Sequence, residues 1–228
     1  IALADALTVC AERKIPCMVD LTQSAGVVPH DLSSLPTDFE LVVCCSVYKH
    51  LYGQYGSALM LLSAAAASRL QFNPLELHGK HIRKDVALLW DTVGGETDEV
   101  DLRMGVLDDG PVRFDAGLNN PTGMAVLAAS LSLVCSLDLD AYSARLRLLC
   151  DRAKEGLRRL GLQIVGGDAP HFFAFCFHDH VERSPLLVQR LRNRKVVVDL
   201  RHGRARFSVG LWSSLEDVEK FLEIVSDV

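Results

Sequence analysis

An acid and a lysine stand just past two neighbouring apolar runs. Cys17-Met18-Val19 leads into Asp20, and Leu41–Cys45 leads through Ser46, Val47 and Tyr48 to Lys49. A third run, Ser57–Leu62, follows Gly53 and Gly56. Each run is short and bounded by turn-forming residues, the pattern of strands buried in a parallel sheet. Three nearly parallel strands are therefore expected, covered by helices. Open sheets of this kind bind ligands beyond the carboxyl ends of their strands. A primary amine in that position can condense with an aldehyde, and a carboxylate can keep a ring nitrogen protonated.

Pyridoxal phosphate is the cofactor that such a pair suits, because it needs a lysine for its Schiff base and an acid for its pyridine nitrogen. The surrounding residues agree: Asp20, Gln23 and Gly26 form D-x-x-Q-x-x-G, and Ser46, Tyr48 and Lys49 lie in S-x-Y-K-H-L-Y-G-x-x-G. Together these stretches resemble the class V aminotransferase family, which includes cysteine desulfurases and kynureninases. The resemblance implies the fold-type-I architecture: part of a mostly parallel-sheet cofactor domain over residues 1–145, then a small C-terminal α/β domain over 146–228. It also implies roles. Lys49 would carry the cofactor and move protons, Asp20 would hold the pyridine N–H, and Gln23 would bond the phenolic oxygen. Ser46, Tyr48 and Asn120 would join them in binding, Asn120 near the cofactor phosphate of a neighbouring subunit.

The elements that must position these groups follow in order. Residues 1–14 carry apolar positions at Ile1, Leu3, Ala4, Leu7 and Cys10, with Arg13 and Lys14 near the end, the form of a helix with a cationic last turn. Ser63–Leu70 is alanine-rich and helical in pattern. Residues 71–110 show little periodicity and read as a long loop bordering the active site in the family. A strand is expected over Val112–Gly117, then the stretch Asn119–Gly123 opens a helix with Thr122 as its cap. Met124–Leu137 is strongly apolar and expected to be buried. Asp138 or Asp140 opens an amphipathic helix to about Leu160, with Arg145, Arg147, Arg152, Lys154, Arg158 and Arg159 on its outer face and Gly161 as its stop. Strands follow at Leu162–Val165, Phe172–Phe177, Val196–Asp199 and Ala205–Val209. Helices are expected over Pro185–Arg194 and Leu215–Val228, the last capped by Ser213 or Ser214.

The tail V-V-V-D-L-R-H-G-R-A-R-F-S-V-G-L-W resembles the family's end signature. In that signature an arginine grips the substrate α-carboxylate, and Arg206 holds the matching position. A planar, permanently charged fork suits a carboxylate. Arg201 and Arg204 are its neighbours. Cysteine desulfurases carry a nucleophilic cysteine on a loop before this arginine, and none occurs between Val198 and Arg206. Cys176, inside F-F-A-F-C-F, reads as a buried inert thiol. Kynureninases share the D-x-R turn (Asp199, Arg201), a tyrosine before the lysine (Tyr48) and an Asn-Pro pair (Asn120-Pro121). They carry histidine where Gln23 stands, and a G-W-x-G-H stretch for which Trp90 is a weak substitute.

The 228 residues are 49% hydrophobic and 23% charged, with net charge -5, an ordinary globular composition without the basic face that nucleic acid requires. No apolar stretch has the length and character to span a bilayer. Seven cysteines without a C-x-x-C pair, most within apolar runs, fit buried hydrophobes in a reducing compartment. The eight histidines form no ligand spacing, so no metal is expected. His50 follows the lysine and is placed to touch cofactor or phosphate, while His30, His78 and His81 read as surface residues. The chain begins at Ile1 inside an expected helix. The resemblance places a stacking ring and a phosphate turn upstream, so a C-terminal portion of a larger cytoplasmic, homodimeric enzyme is expected, inactive and weak in cofactor binding when alone. The resemblance thus implies a pyridoxal-phosphate transaminase or lyase acting on an amino acid, with a kynureninase-like carbon–carbon lyase and a non-catalytic dimerisation module as the alternatives.

Overall fold

The computed structural model describes residues 3–70, 120–177 and 183–227. The expected loop 71–110, the strand at 112–117, His78, His81, Trp90 and Asn119 lie outside the described residues. The chain divides into two compact units, one of Ile1–Ala25 with His30–Ser132, the other of Gly26–Pro29 with Leu133–Val228. Position 145/146, the boundary drawn from the sequence, falls inside the second unit. Mixed α/β structure characterises the described residues.

In the first unit, helix α1 (Leu3–Glu12) precedes strand β1 (Cys17–Asp20), β2 (Leu41–Ser46) and β3 (Ala58–Leu62). β1 pairs with β2 in parallel, from Cys17 opposite Leu41 to Asp20 opposite Cys44. β3 runs antiparallel to β2, from Val42 opposite Leu62 to Ser46 opposite Ala58. The expectation of three nearly parallel strands is therefore corrected at β3. The physical reason is length: residues 47–57 form a turn without a helix, and a parallel crossover takes about a dozen residues or more, usually with one. Alternate residues of β2 (Leu41, Val43, Cys45) are buried, as one pleated face on a core demands. A short helix α2 (Ala64–Arg69) is capped by Ser63, whose oxygen accepts from the Ala66 N–H.

Helix α3 (Pro121–Cys135) corrects two expectations. Its cap is Asn120, whose Oδ1 accepts from the N–H groups of Thr122 and Gly123 at 3.1 and 3.2 Å, so Thr122 lies within the first turn. Pro121 at the first position fits this, since its missing N–H needs no partner there. The apolar run is also not wholly buried. Only the stripe of Gly123, Leu127, Ser130 and Val134 is, while Met124, Val126 and Leu133 are exposed. Its apolar residues encircle the helix, which gives no single side to bury.

The second unit holds α4 (Leu139–Arg159), α5 (Ser184–Asn193) and α6 (Leu215–Ser226) with a four-stranded antiparallel sheet. The strands are β4 (Leu162–Val165), β5 (Phe172–Phe177), β6 (Asp199–Arg201) and β7 (Arg204–Ser208), ordered β4-β5-β7-β6. β6 starts where the sequence reading ended it. Asp138 caps α4, Gly161 (φ 78°) ends it, and Ser214 with Asp217 forms a reciprocal capping box on α6. Lys154 is not on the outer face of α4. It is buried, 3.1 Å from Asp151 and with its ammonium 5.6 Å above the Phe173 ring.

The core of this unit is aromatic. Phe207 lies 5.1 Å from Phe173 and 4.9 Å from Phe221, and Phe175 meets Phe221 edge-on at 5.9 Å. The close approach of α4 and α6 requires Gly156, because a Cβ there would stand 2.4 Å from Leu222 Cδ1. Among the described residues no single helix is long and apolar enough to cross a membrane. Phe221→Ala should cost about 3–5 kcal/mol in denaturant unfolding, because it empties the ring cluster. Leu148→Ala, at a residue 72% exposed, should change stability by about 0.5 kcal/mol or less.

Candidate active site

The parallel β1–β2 register ends both strands at the same edge of the sheet, and the ladder continues through the Leu21 N–H to Cys44 O at 2.8 Å. Asp20 is exposed there, and its Oδ1 accepts from the Thr22 N–H at 2.8 Å. Its carboxyl is held below the usual value, first by the Thr22 hydroxyl, then by the Thr22 N–H, and also by the charge of Lys49. The Thr22 oxygen in turn accepts from the Ser46 N–H at 2.9 Å. Ser46, Thr22 and Asp20 thus form one hydrogen-bonded chain across the ends of the two strands. Thr22 was not read from the sequence, although an acid two residues before a threonine is the signal of an Asx turn.

Lys49 lies in the turn between β2 and β3. That turn folds tightly: the Gly53 N–H donates to Val47 O at 2.8 Å, and Tyr52 N–H to Lys49 O at 3.2 Å. Tyr52 adopts a positive φ of 55°, a conformation side chains disfavour. A Cβ on Gly53 would stand 2.6 Å from Cγ2 of the fully buried Val47. Tyr48 stacks on Tyr55 with centroids 4.5 Å apart, and the Lys49 amine lies 5.7 Å from the Tyr48 ring. His50 is partly buried, and its imidazole is pushed below the ordinary 6.5, first by burial and then by the Lys49 charge.

The first turn of α3 packs against the same turn of this chain. A Cβ on Gly123 would stand 3.0 Å from Ser57 Oγ and 3.4 Å from Gln54 Oε1. Gln54, Ser57 and Gly123 therefore belong with Asn120 around the lysine turn. Nothing in the sequence joins residues so far apart. Gln23 is exposed, one residue past Thr22 in the turn after β1. The structure thus gathers Asp20, Ser46, Tyr48, Lys49 and the Asn120 helix start within one unit.

Arg206 belongs to the second unit, in β7 between β5 and β6. Its Nη2 donates to Asp199 Oδ2 at 3.1 Å, an oxygen that also accepts from Arg201 Nε at 2.7 Å. All seven cysteines are free thiols. Cys45 and Cys150 are buried and pushed up, Cys150 to about 12, by desolvation, and Cys176 is 2% exposed. Cys135, by contrast, is exposed.

The model of the class V aminotransferase family matches residues 2–221. The chain belongs to that family. A probable cysteine desulfurase of Pyrococcus abyssi is 26% identical over 92% of the chain and 51% of its own length. Among solved structures, the cysteine desulfurase of Thermococcus onnurineus superposes with a TM-score of 0.76 at 22% identity, covering 96% of this chain and 54% of its own. The alanine–glyoxylate aminotransferase of Nostoc does so with a TM-score of 0.66 at 19% identity, covering 97% and 56%. The chain thus spans about half the length of the relatives it matches, and its fold is that of the fold-type-I enzymes. The family depends on pyridoxal phosphate. The donor set here fits that group: an ionised, exposed carboxylate for a pyridine N–H, a lysine whose charge it feels, and hydroxyl and amide groups around them.

Two outcomes are expected. Gly53→Ala should destabilise the protein by about 1–3 kcal/mol in denaturant unfolding, because Val47 cannot yield. His50 and His30 both have pKa values lowered from 6.5. The unfolded chain therefore takes up protons that the folded one resists. Stability should be intact above pH 6.5 and decline as the pH falls below it towards the lower folded values. Calorimetric midpoints between pH 7 and 5 measure this, and His50→Gln and His30→Gln should each flatten the slope.

Proposed function

We propose that the protein is a pyridoxal-phosphate-dependent transaminase or lyase acting on an amino acid. The observation that carries this reading is the Asp20–Thr22–Ser46 chain beside Lys49. In it, the bound cofactor would supply an electron sink for the bond broken at the substrate Cα. Lys49 would hold it covalently and then accept or return the Cα proton. Asp20 would accept the ring N–H, and Thr22 keeps that carboxylate charged and oriented. Gln23 would bond the phenolic oxygen, Ser46 and Tyr48 would flank the group, and Asn120 would bind near the cofactor phosphate of a neighbouring subunit. Arg206 would grip the substrate carboxylate.

Sulfur transfer through a cysteine near Arg206 is not supported. No cysteine follows Cys176 in the sequence, and β6 and β7 are joined through His202-Gly203 alone. The kynureninase-like reading keeps Asp199, Arg201 and the Asn120-Pro121 start in its favour. Homodimeric assembly and a cytoplasmic site accompany the proposal, the first supported by the exposed Met124 and Val126 of α3.

Borohydride reduction of the intact protein with pyridoxal phosphate should attach one phosphopyridoxyl group, the cofactor less the water lost on condensation and plus the two hydrogens of reduction, to the peptide containing Lys49. Lys49→Ala should abolish that addition and lower turnover by at least a thousandfold, on the order of the loss when a nucleophile is removed. Full activity in Lys49→Ala would overturn the proposal. A screen of amino acids for keto product or pyridoxamine phosphate then separates transamination from bond cleavage.

A further inference from the structure

We propose that Asp199 is a positioning residue that holds Arg206 ready for the α-carboxylate of the substrate. This rests on reading Arg206 as the carboxylate grip. The argument begins with the β6–β7 hairpin. Its two linking residues, His202 (φ 49°) and Gly203 (φ 75°), both have positive φ, the requirement of the tight turn whose twist matches paired strands. That turn sets Arg201 opposite Arg204, Leu200 opposite Ala205, and Asp199 opposite Arg206. Leu200, Ala205 and Phe207 belong to the core or pack on it. By the alternation of strands, Asp199, Arg201, Arg204 and Arg206 share the other face.

On that face Arg206 lies between Asp199 on β6 and Ala174 on β5. The carboxylate takes one N–H from Nη2. A guanidinium has five N–H donors, and Asp199 is the side-chain partner that Arg206 has among the described residues, so donors remain there for a second carboxylate. The methyl of Ala174 brings no competing polar group to the opposite side. Asp199 is itself kept below the usual carboxyl value, first by the Arg201 hydrogen bond, then by the charges of Arg201 and Arg206. It is therefore an anion at neutral pH. An arginine already restrained loses less rotamer freedom when a ligand docks, which is how preorganisation gains affinity.

The test uses intact protein loaded with pyridoxal phosphate, with L-alanine and ethylamine as probes that differ by the carboxylate. Affinities are read from the change in cofactor absorbance. Asp199→Ala should weaken L-alanine about tenfold, or about 1.4 kcal/mol, and leave ethylamine unchanged. Asp199→Asn, which keeps an acceptor, should recover part of the loss, and Arg201→Ala should leave the alanine preference unchanged or raise it. Without ligand, the NMR signal of the Arg206 guanidinium should broaden through faster exchange in Asp199→Ala. If Arg206→Ala leaves the alanine preference intact, the reading of Arg206 itself falls. If Arg206→Ala removes the preference and Asp199→Ala does not, the positioning role alone is overturned. Equal weakening of both probes by Asp199→Ala also overturns it. Should Asp199→Ala not fold, Asp199→Asn decides by the same ratio, and should neither amine bind, the guanidinium signal decides.

Discussion

The parallel pairing of Cys17–Asp20 with Leu41–Cys44 is the constraint on which the candidate site depends. A parallel ladder brings two strand ends to one edge, whereas an antiparallel one would place Asp20 at the far end from Ser46. A register slip of one residue would turn every side chain of β1 to the other face and take Asp20 away. The Thr22 oxygen adds a lock, because it meets the Ser46 N–H only in this register. The acid, its electrostatic state and the start of the lysine turn therefore follow from one pairing.

From Ser46 onward the backbone does the positioning. Val47 is fully buried and anchors the turn, Gly53 folds back on it, and Tyr52 accepts an unfavourable φ. That local strain is held by packing on both sides: Tyr48 on Tyr55, and the start of α3 against Gln54 and Ser57. Lys49 is displayed on a tight turn whose shape is decided by its neighbours.

Much of this was legible in the sequence, and what was not has physical reasons. Short apolar runs ending in Asp20 and before Lys49 announce strand ends, and Asp138, Ser214 and Gly161 announce helix ends, because these signals are local. The direction of β3 turned on the length of its connection, which the apolar pattern of the run does not contain. Lys154 looked like one more surface cation. Its position four residues after Cys150 puts it on the buried side of α4, where Phe173 and Asp151 compensate its burial. The exposed side of α3 escaped because its apolar residues lack a preferred direction. Arg206 could be picked out by its place in the tail, but its partner Asp199 required the hairpin register. A turn of His-Gly is a weaker sequence signal than Asn-Gly.

That hairpin also bears on how the protein folds. Its contacts span only a few residues, so the entropy of closing its loop is small. Isolated hairpins form within about 1–10 μs. The β1–β2 ladder instead must close a loop from Asp20 to Leu41, and pairings between distant segments are the slower ones. Arg206 and Asp199 can therefore find each other during the earliest chain collapse, so the proposed carboxylate grip is assembled by local events. The turn that displays Lys49 waits for long-range order.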